Sequence, residues 1–399
     1  MMTTTTASEA SAAGSSPARS EQQQQQQQAG DDATPCTRQK RKEELGWRRI
    51  VRNFTPSWFA VNMGTGIVSV LLHNLPYNAA WLQHVSYFFF AANVGLFATF
   101  LALSVLRWAA IINKMIFCCR QWGDWLVYLA WAFWWVDVLL SMATSISMPF
   151  IVMHRHKPGL QNTTAALLLP IVPAIVAAAT GGIVAEALPD HGHALATLVA
   201  SYVLWGIGET LAGCVLALYF HRLTVHSLPP REVIVSVFLP VGPLGQGGFA
   251  IQQLGKVALK LLPATGMFRA AGLDPARGAE VLYVLGVFLG LIMWGFALLW
   301  VSFALISLAT TQSFPFNMGW WGFTFPLGVW ATCTSMLAVN LDSDFFKVAT
   351  TAISLSVLLL WVMVAARTLH LVVTGEMFFA PCLKDLREKD QAGSCDKTA

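Results

Sequence analysis

The chain carries nine apolar windows, at about 56–76, 85–106, 125–149, 165–187, 194–220, 233–254, 280–308, 316–339 and 346–373. Each is long enough to cross a hydrocarbon layer about 30 Å thick as a helix rising about 1.5 Å per residue. No water satisfies a peptide group inside such a layer, so the pattern predicts an all-α multi-pass membrane fold. The lipid bilayer is its first expected partner. Charge agrees, since only 12% of the 399 residues are Asp, Glu, Lys or Arg, against about 25% in soluble domains. A net charge of +4 gives no argument for a nucleic-acid partner.

The flanks read differently. Residues 1–45 are rich in Ser, Thr, Ala and Gln, with seven glutamines from Gln22 to Gln28, and predict a disordered cytoplasmic arm. Arg38, Lys40, Arg41, Lys42, Arg48, Arg49 and Arg52 follow, directly before the first window, which predicts a cytoplasmic N-terminus. The transmembrane domain is expected over 46–375 and a cytoplasmic tail over 376–399. His154, Arg155, His156 and Lys157, then His221, Arg222 and Arg231, fit inside loops, while Asp190, Asp342 and Asp344 fit outside ones. One loop disagrees: 255–279 would lie outside with Lys256, Lys260, Arg269 and Arg277.

Between the second and third windows lies RWAAIINKMIFCCRQW, Arg107 to Trp122. Its apolar part, Trp108 to Cys119, covers about 18 Å as a helix and carries Lys114, too little to span alone. The inside loops on either side nevertheless require two crossings between them, where only one full helix is available.

The windows alternate in character. Those at 165–187, 233–254 and 316–339 hold Pro170 and Pro173, Pro240 and Pro243, and Pro326, while their successors hold no proline. The first window has Gly64 and Gly66 instead. Broken helices are tolerated where neighbours or a water-filled path satisfy the freed backbone. We therefore expect them inside, around a path, with the plain helices facing lipid. No Asp, Glu, Lys or Arg lies in the apolar interior of the four broken helices, so neither a proton relay nor an acidic ring for cations is available, and half-helix N-termini modestly favour a small anion. Two carboxylates, Asp137 and Glu209, fall within plain windows. Asp137 is expected to pair with a hydroxyl or a base; Glu209 has no assigned role.

Enzyme and metal chemistry find no footing. The seven cysteines, at 36, 118, 119, 214, 333, 382 and 395, form no CxxC pair or metal-ligand spacing. GPLGQGG at 242–248 lacks the Lys of a phosphate-binding loop, and neither HExxH nor a G-x-S-x-G elbow with a triad occurs. No catalytic residue, metal or cofactor is expected.

NFTPSWFAVNMGTGIVSVLLHNLPY (53–77), LAWAFWWVDVLLS (129–141), PFIVMHRH (149–156), PIVPAIVAAATGG (170–182), LPVGPLGQGGFAIQQLG (239–255) and GWWGFTFPLGVWAT (319–332) resemble the tellurite-resistance and dicarboxylate transporter family, and within it the fungal sulfite efflux pumps. Plant slow anion channels and malate carriers belong to the same family. The resemblance implies ten helices in five hairpins around a central anion pore, a plasma-membrane location with both termini cytoplasmic, sulfite as the permeating anion, and a homo-oligomer, often a trimer. It places a gate at Phe325, or failing that Phe323, and a lining at Gly64, Thr65, Gly66, Pro173, Pro243, Gln246 and Pro326. Dicarboxylate transport is the rival within the family, and a non-conducting truncated paralogue is the rival outside transport. The departure is at Arg107–Trp122, where the third helix is truncated by roughly 25 residues. With four inner helices the pore would be open-sided or collapsed, or later helices would insert inverted.

Overall fold

The computed structural model describes residues 59–76, 79–103, 123–155, 160, 163–311 and 313–374. The arm 1–45, the basic cluster before the first window, the stretch Arg107–Trp122 and the tail 376–399 lie outside the described residues. Nine α-helices occupy the described residues: α1 Phe59–His73, α2 Ala80–Leu103, α3 Asp124–Arg155, α4 Val172–Ala187, α5 His191–His226, α6 Val241–Thr265, α7 Pro275–Thr310, α8 Thr324–Asn340 and α9 Asp344–Val373. The 3-10 segments Ala165–Leu168, Arg231–Phe238 and Met318–Gly322 lead into α4, α6 and α8. Seven spans, those built on α3 to α9, are long and apolar enough to cross a membrane.

The proline alternation reappears as two layers. The spans of α4, α6 and α8 have 67–83% of their apolar window buried, whereas those of α3, α5, α7 and α9 have 17–28%. Phe88, Phe288 and Leu359 on the outer helices are exposed, as lipid-facing side chains are. Inside, α1 packs on α8, α8 on α6 and α6 on α4.

The register of these contacts fixes direction. Gly64 lies against Trp321 and Thr324, Ile67 against Gly328, and Asn74 O accepts from Ser335 Oγ at 3.5 Å. Gly245 meets Trp330 and Gly248 meets Cys333, while Gly182 meets Gln253 and Glu186 meets Lys260. Residue numbers rise together along each seam, so α1, α8, α6 and α4 are parallel, and none of α4, α6 or α8 is inverted. Their open-sided alternative is what the described residues present: α4 and α1 share no packed interface, and the arc ends on each of them.

Outer helices run the other way. Trp134 Nε1 donates to Ala177 O at 2.9 Å and Ser145 Oγ to Pro170 O at 3.2 Å, which sets α3 antiparallel to α4. Ser69 Oγ donates to Ser86 O at 3.0 Å and Ser86 Oγ to Ser69 O at 2.8 Å, clasping α2 antiparallel to α1. Hence α2 and α3 point the same way, and Leu103 and Asp124 stand at opposite ends of the bundle.

The prolines begin α-helices rather than break them. Pro173, Pro243 and Pro326 fall in the first turns of α4, α6 and α8, where an N–H has no intrahelical partner to lose. Upstream, short bonds such as Leu169 N to Ala166 O (3.0 Å) and Leu239 N to Ser236 O (3.0 Å) carry the chain in 3-10 form. Asn317 ties two of these segments: its Oδ1 accepts from Gly319 N at 2.8 Å and its Nδ2 donates to Glu232 O at 2.8 Å.

Close approach of α6 to α8 makes a direct test. A Cβ on Gly245 would lie 2.7 Å from Trp330 N, a backbone atom that cannot swing aside, whereas one on Gly242 meets nothing within 4 Å. Gly245→Val is expected to cost about 1–3 kcal/mol or more by overpacking and Gly242→Ala to be tolerated, read as thermal unfolding of the purified protein.

Candidate functional site: the inner face of four parallel helices

Helical spacing and the seams above separate the sides of each inner helix. On α4, Ala177 faces α3, Gly181 faces α5 and Gly182 faces α6, which leaves Pro173, Val176 and Thr180 together on the remaining side. On α6, Gly247 faces α5, Gly255 faces α7 and Gly245 faces α8. Gly242, Gln246 and Phe249 share the side left over, and Gln253 borders it at the α4 seam. On α8 that side carries Phe325, Thr332 and Met336, away from Gly328 on the α1 seam and Cys333 on the α6 seam. On α1 it carries Met63, Gly66 and Val70.

Adjacent residues of one motif thus part company. Gly66 is on the inner side, but Gly64 is packed beneath Thr324 and Trp321. Thr65 is fully buried, donates to Val61 O at 2.8 Å and accepts from Trp361 Nε1 of α9 at 3.0 Å. Gly64 and Thr65, both expected as lining, lie in helix seams here, because consecutive helical residues point about 100° apart. Pro243 and Pro326 are buried in their first turns, shaping the backbone.

The two gate candidates separate by the same geometry. Phe323 is buried, with its ring 5.0 Å from Phe238 and 5.7 Å from Trp320. Phe325 is half-buried and makes no ring contact among the described residues. Gln246, almost buried, makes no hydrogen bond among the described residues, so its amide is available to a guest on the inner side.

The carboxylates lie elsewhere. Asp137 Oδ2 on α3 is buried and has no partner among the described residues, so the expected hydroxyl or base is not met. Glu209 on α5 reaches α6: its Oε1 is buried without a partner, directly where a Cβ of Gly247 would sit. Trp205 Nε1, one turn earlier, donates to Gly247 O at 3.0 Å. Among the described residues no group of His, Cys, Asp or Glu is placed to hold a metal ion.

One charged group was read wrongly from sequence. Lys256 and Lys260 do not sit in a loop; α6 continues to Thr265 and brings both to Glu186 of α4, at 3.2 and 2.6 Å. Gln253 Nε2 donates to the other carboxylate oxygen at 2.8 Å. The signal was available, since the spacing of 246, 249 and 253 inside the apolar window continues at 256 and 260 beyond it. Pairing removes part of the charge that made this end look anomalous. Asp124, Asp190, Asp342 and Asp344 share it, while Arg222, Arg231 and Arg367 mark the opposite end.

The inner face is therefore neutral along its length, begins where 3-10 segments run into the positive ends of three α-helices, and ends in a lysine-rich cluster. It suits a small anion held weakly, and offers no acid to a cation.

Comparison with known proteins agrees with that chemistry. The family model described as voltage-dependent anion channel matches residues 53–112 and 108–369. The sulfite efflux pump of Arthroderma otae is 44% identical over 368 aligned positions, covering 85% of this chain and 96% of the relative. That of Trichophyton rubrum is 42% identical with the same coverage. The malic acid transport protein of Schizosaccharomyces pombe is 22% identical, covering 82% of each chain. Since 85% of 399 residues is about 339, about 29 of the 368 positions are occupied in the A. otae protein alone. The two family-model segments meet at 108–112, inside the stretch the sequence marks as short.

Seam and inner face answer differently to substitution. Trp361→Phe, which removes the donor to Thr65, is expected to lower stability by about 0.5–1.5 kcal/mol. Gln246→Leu, which breaks no bond, should leave the unfolding midpoint unchanged or raised; thermal unfolding of the two variants reads both.

Proposed function

Because the chain belongs to the voltage-dependent anion channel family, we propose that it carries sulfite or hydrogensulfite outward across the plasma membrane, passively and without a cofactor. The observation that carries this reading is the 44% identity to a sulfite efflux pump over 96% of that protein, twice the identity to the malic acid carrier. A malate or dicarboxylate path would call for basic residues within the lining, and the inner face between Gly242 and Phe249 has none.

In this reading Gly66, Pro173, Gln246 and Phe325 line the path and the Phe325 ring closes it; Pro243 and Pro326 set the backbone around it. The family's five-hairpin plan supplies the pore, with α1, α4, α6 and α8 as four of its inner helices. Both termini are cytoplasmic, which the arginines at the starting ends of α4 and α6 support. An inside-negative potential then drives an anion outward with about 2.3 kcal/mol per charge per 100 mV. The family likeness favours a homo-oligomer, a trimer by analogy.

A second reading has its own observation. Among the described residues α1 and α4 share no packed interface, and this together with about 29 aligned positions absent from this chain favours a non-conducting form that assembles with complete partners. Expression in a fungal cell lacking its own sulfite export decides between them. Improved sulfite tolerance and lower internal sulfite support the transporter, and Phe325→Ala should raise anion leak severalfold in patch recordings. Unchanged sulfite accumulation, with the protein present at the plasma membrane, removes the transporter reading for this chain.

A further inference from the structure

We propose that Gln253, Lys256, Lys260 and Glu186 form an exit site for a small inorganic oxyanion, filled at rest by the Glu186 carboxylate. The inference rests on the transport reading and adds a site to it. Three donors from one side of α6 converge on a carboxylate delivered by another helix. Lys260 Nζ lies 2.6 Å and Lys256 Nζ 3.2 Å from Oε1, while Gln253 Nε2 lies 2.8 Å from Oε2.

The same side of α6 carries Phe249 one turn and Gln246 two turns before Gln253, so an anion following that face arrives at this cluster. Two ammonium groups against one carboxylate leave one positive charge uncompensated. The lysine side chains are 39% and 62% exposed, and an incoming anion reaches them without moving a helix. Sulfite and a carboxylate present the same acceptor oxygens to these donors, so Glu186 acts as a resident competitor. Conduction needs a site favourable enough to enter and weak enough to leave; competition from a tethered carboxylate supplies the weakness. A mere clip between α4 and α6 is the alternative, and exposed ion pairs stabilise little.

The test uses the purified full chain in two ways: sulfite flux in proteoliposomes against sulfite concentration, and thermal unfolding in detergent with added sulfite or chloride. Glu186→Gln is expected to lower the half-saturating sulfite on the order of tenfold, slow maximal flux and enlarge the sulfite-dependent thermal shift. The double variant Lys256→Gln, Lys260→Gln is expected to raise half-saturation comparably and abolish that shift. If both variants unfold earlier yet keep the parental half-saturation, the cluster is a clip and the site falls while transport stands. If the parent carries no sulfite but Glu186→Gln gains a sulfite-specific shift, the transport reading falls and the site stands. No flux and no shift in any variant removes both.

Discussion

Inside a hydrocarbon layer each peptide group must be satisfied by protein, and an orphan costs several kcal/mol. This requirement governs how proline enters the inner helices. Each of α4, α6 and α8 is approached by 3-10 turns whose tighter bonds use up the carbonyls, and each places its proline in the first α-turn, where a missing donor loses nothing. The carbonyl of Pro170 is taken by Ser145 of the neighbouring helix. The α-helices can thus begin within the protein with first-turn donors such as Ala174 N and Gly242 N paired to the preceding turn, and the positive ends of the helix dipoles give an otherwise neutral face its preference for negative charge.

The alternation of inner and outer helices was legible because proline cannot be placed casually in a span, and burial follows it closely. What escaped sequence reading was azimuth. Gly64, Thr65 and Gly66 form one motif, yet about 100° per residue sends them to three different surfaces, and Phe323 and Phe325 are likewise separated by about 200°. Only contacts across a seam tell which is which. The end of α6 escaped for another reason. Hydropathy falls after Leu254 because the helix becomes amphipathic, so a window of apolar residues stopped there and left Lys256 and Lys260 in a notional loop.

The stretch near Arg107 is where sequence, family comparison and helix direction meet. The two-part family match and the shared direction of α2 and α3 are independent observations that point to it, and the alignment carries about 29 positions with no residue of this chain. Together they locate the chain's departure from its relatives between the second and third described helices. The rest of the helical order is intact, since α4, α6 and α8 keep the direction of α1. The inner arc is consequently incomplete at one place only, between α4 and α1, among the described residues.

Asn317 has a further consequence. One side-chain amide caps the turn that leads into α8 with its oxygen and grips the approach to α6 with its nitrogen. The starts of those helices are pinned like two spokes on a shared hub. A tilt at the start of α8 therefore works against a hydrogen bond to the approach to α6, which links the two starts by about 0.5–1.5 kcal/mol.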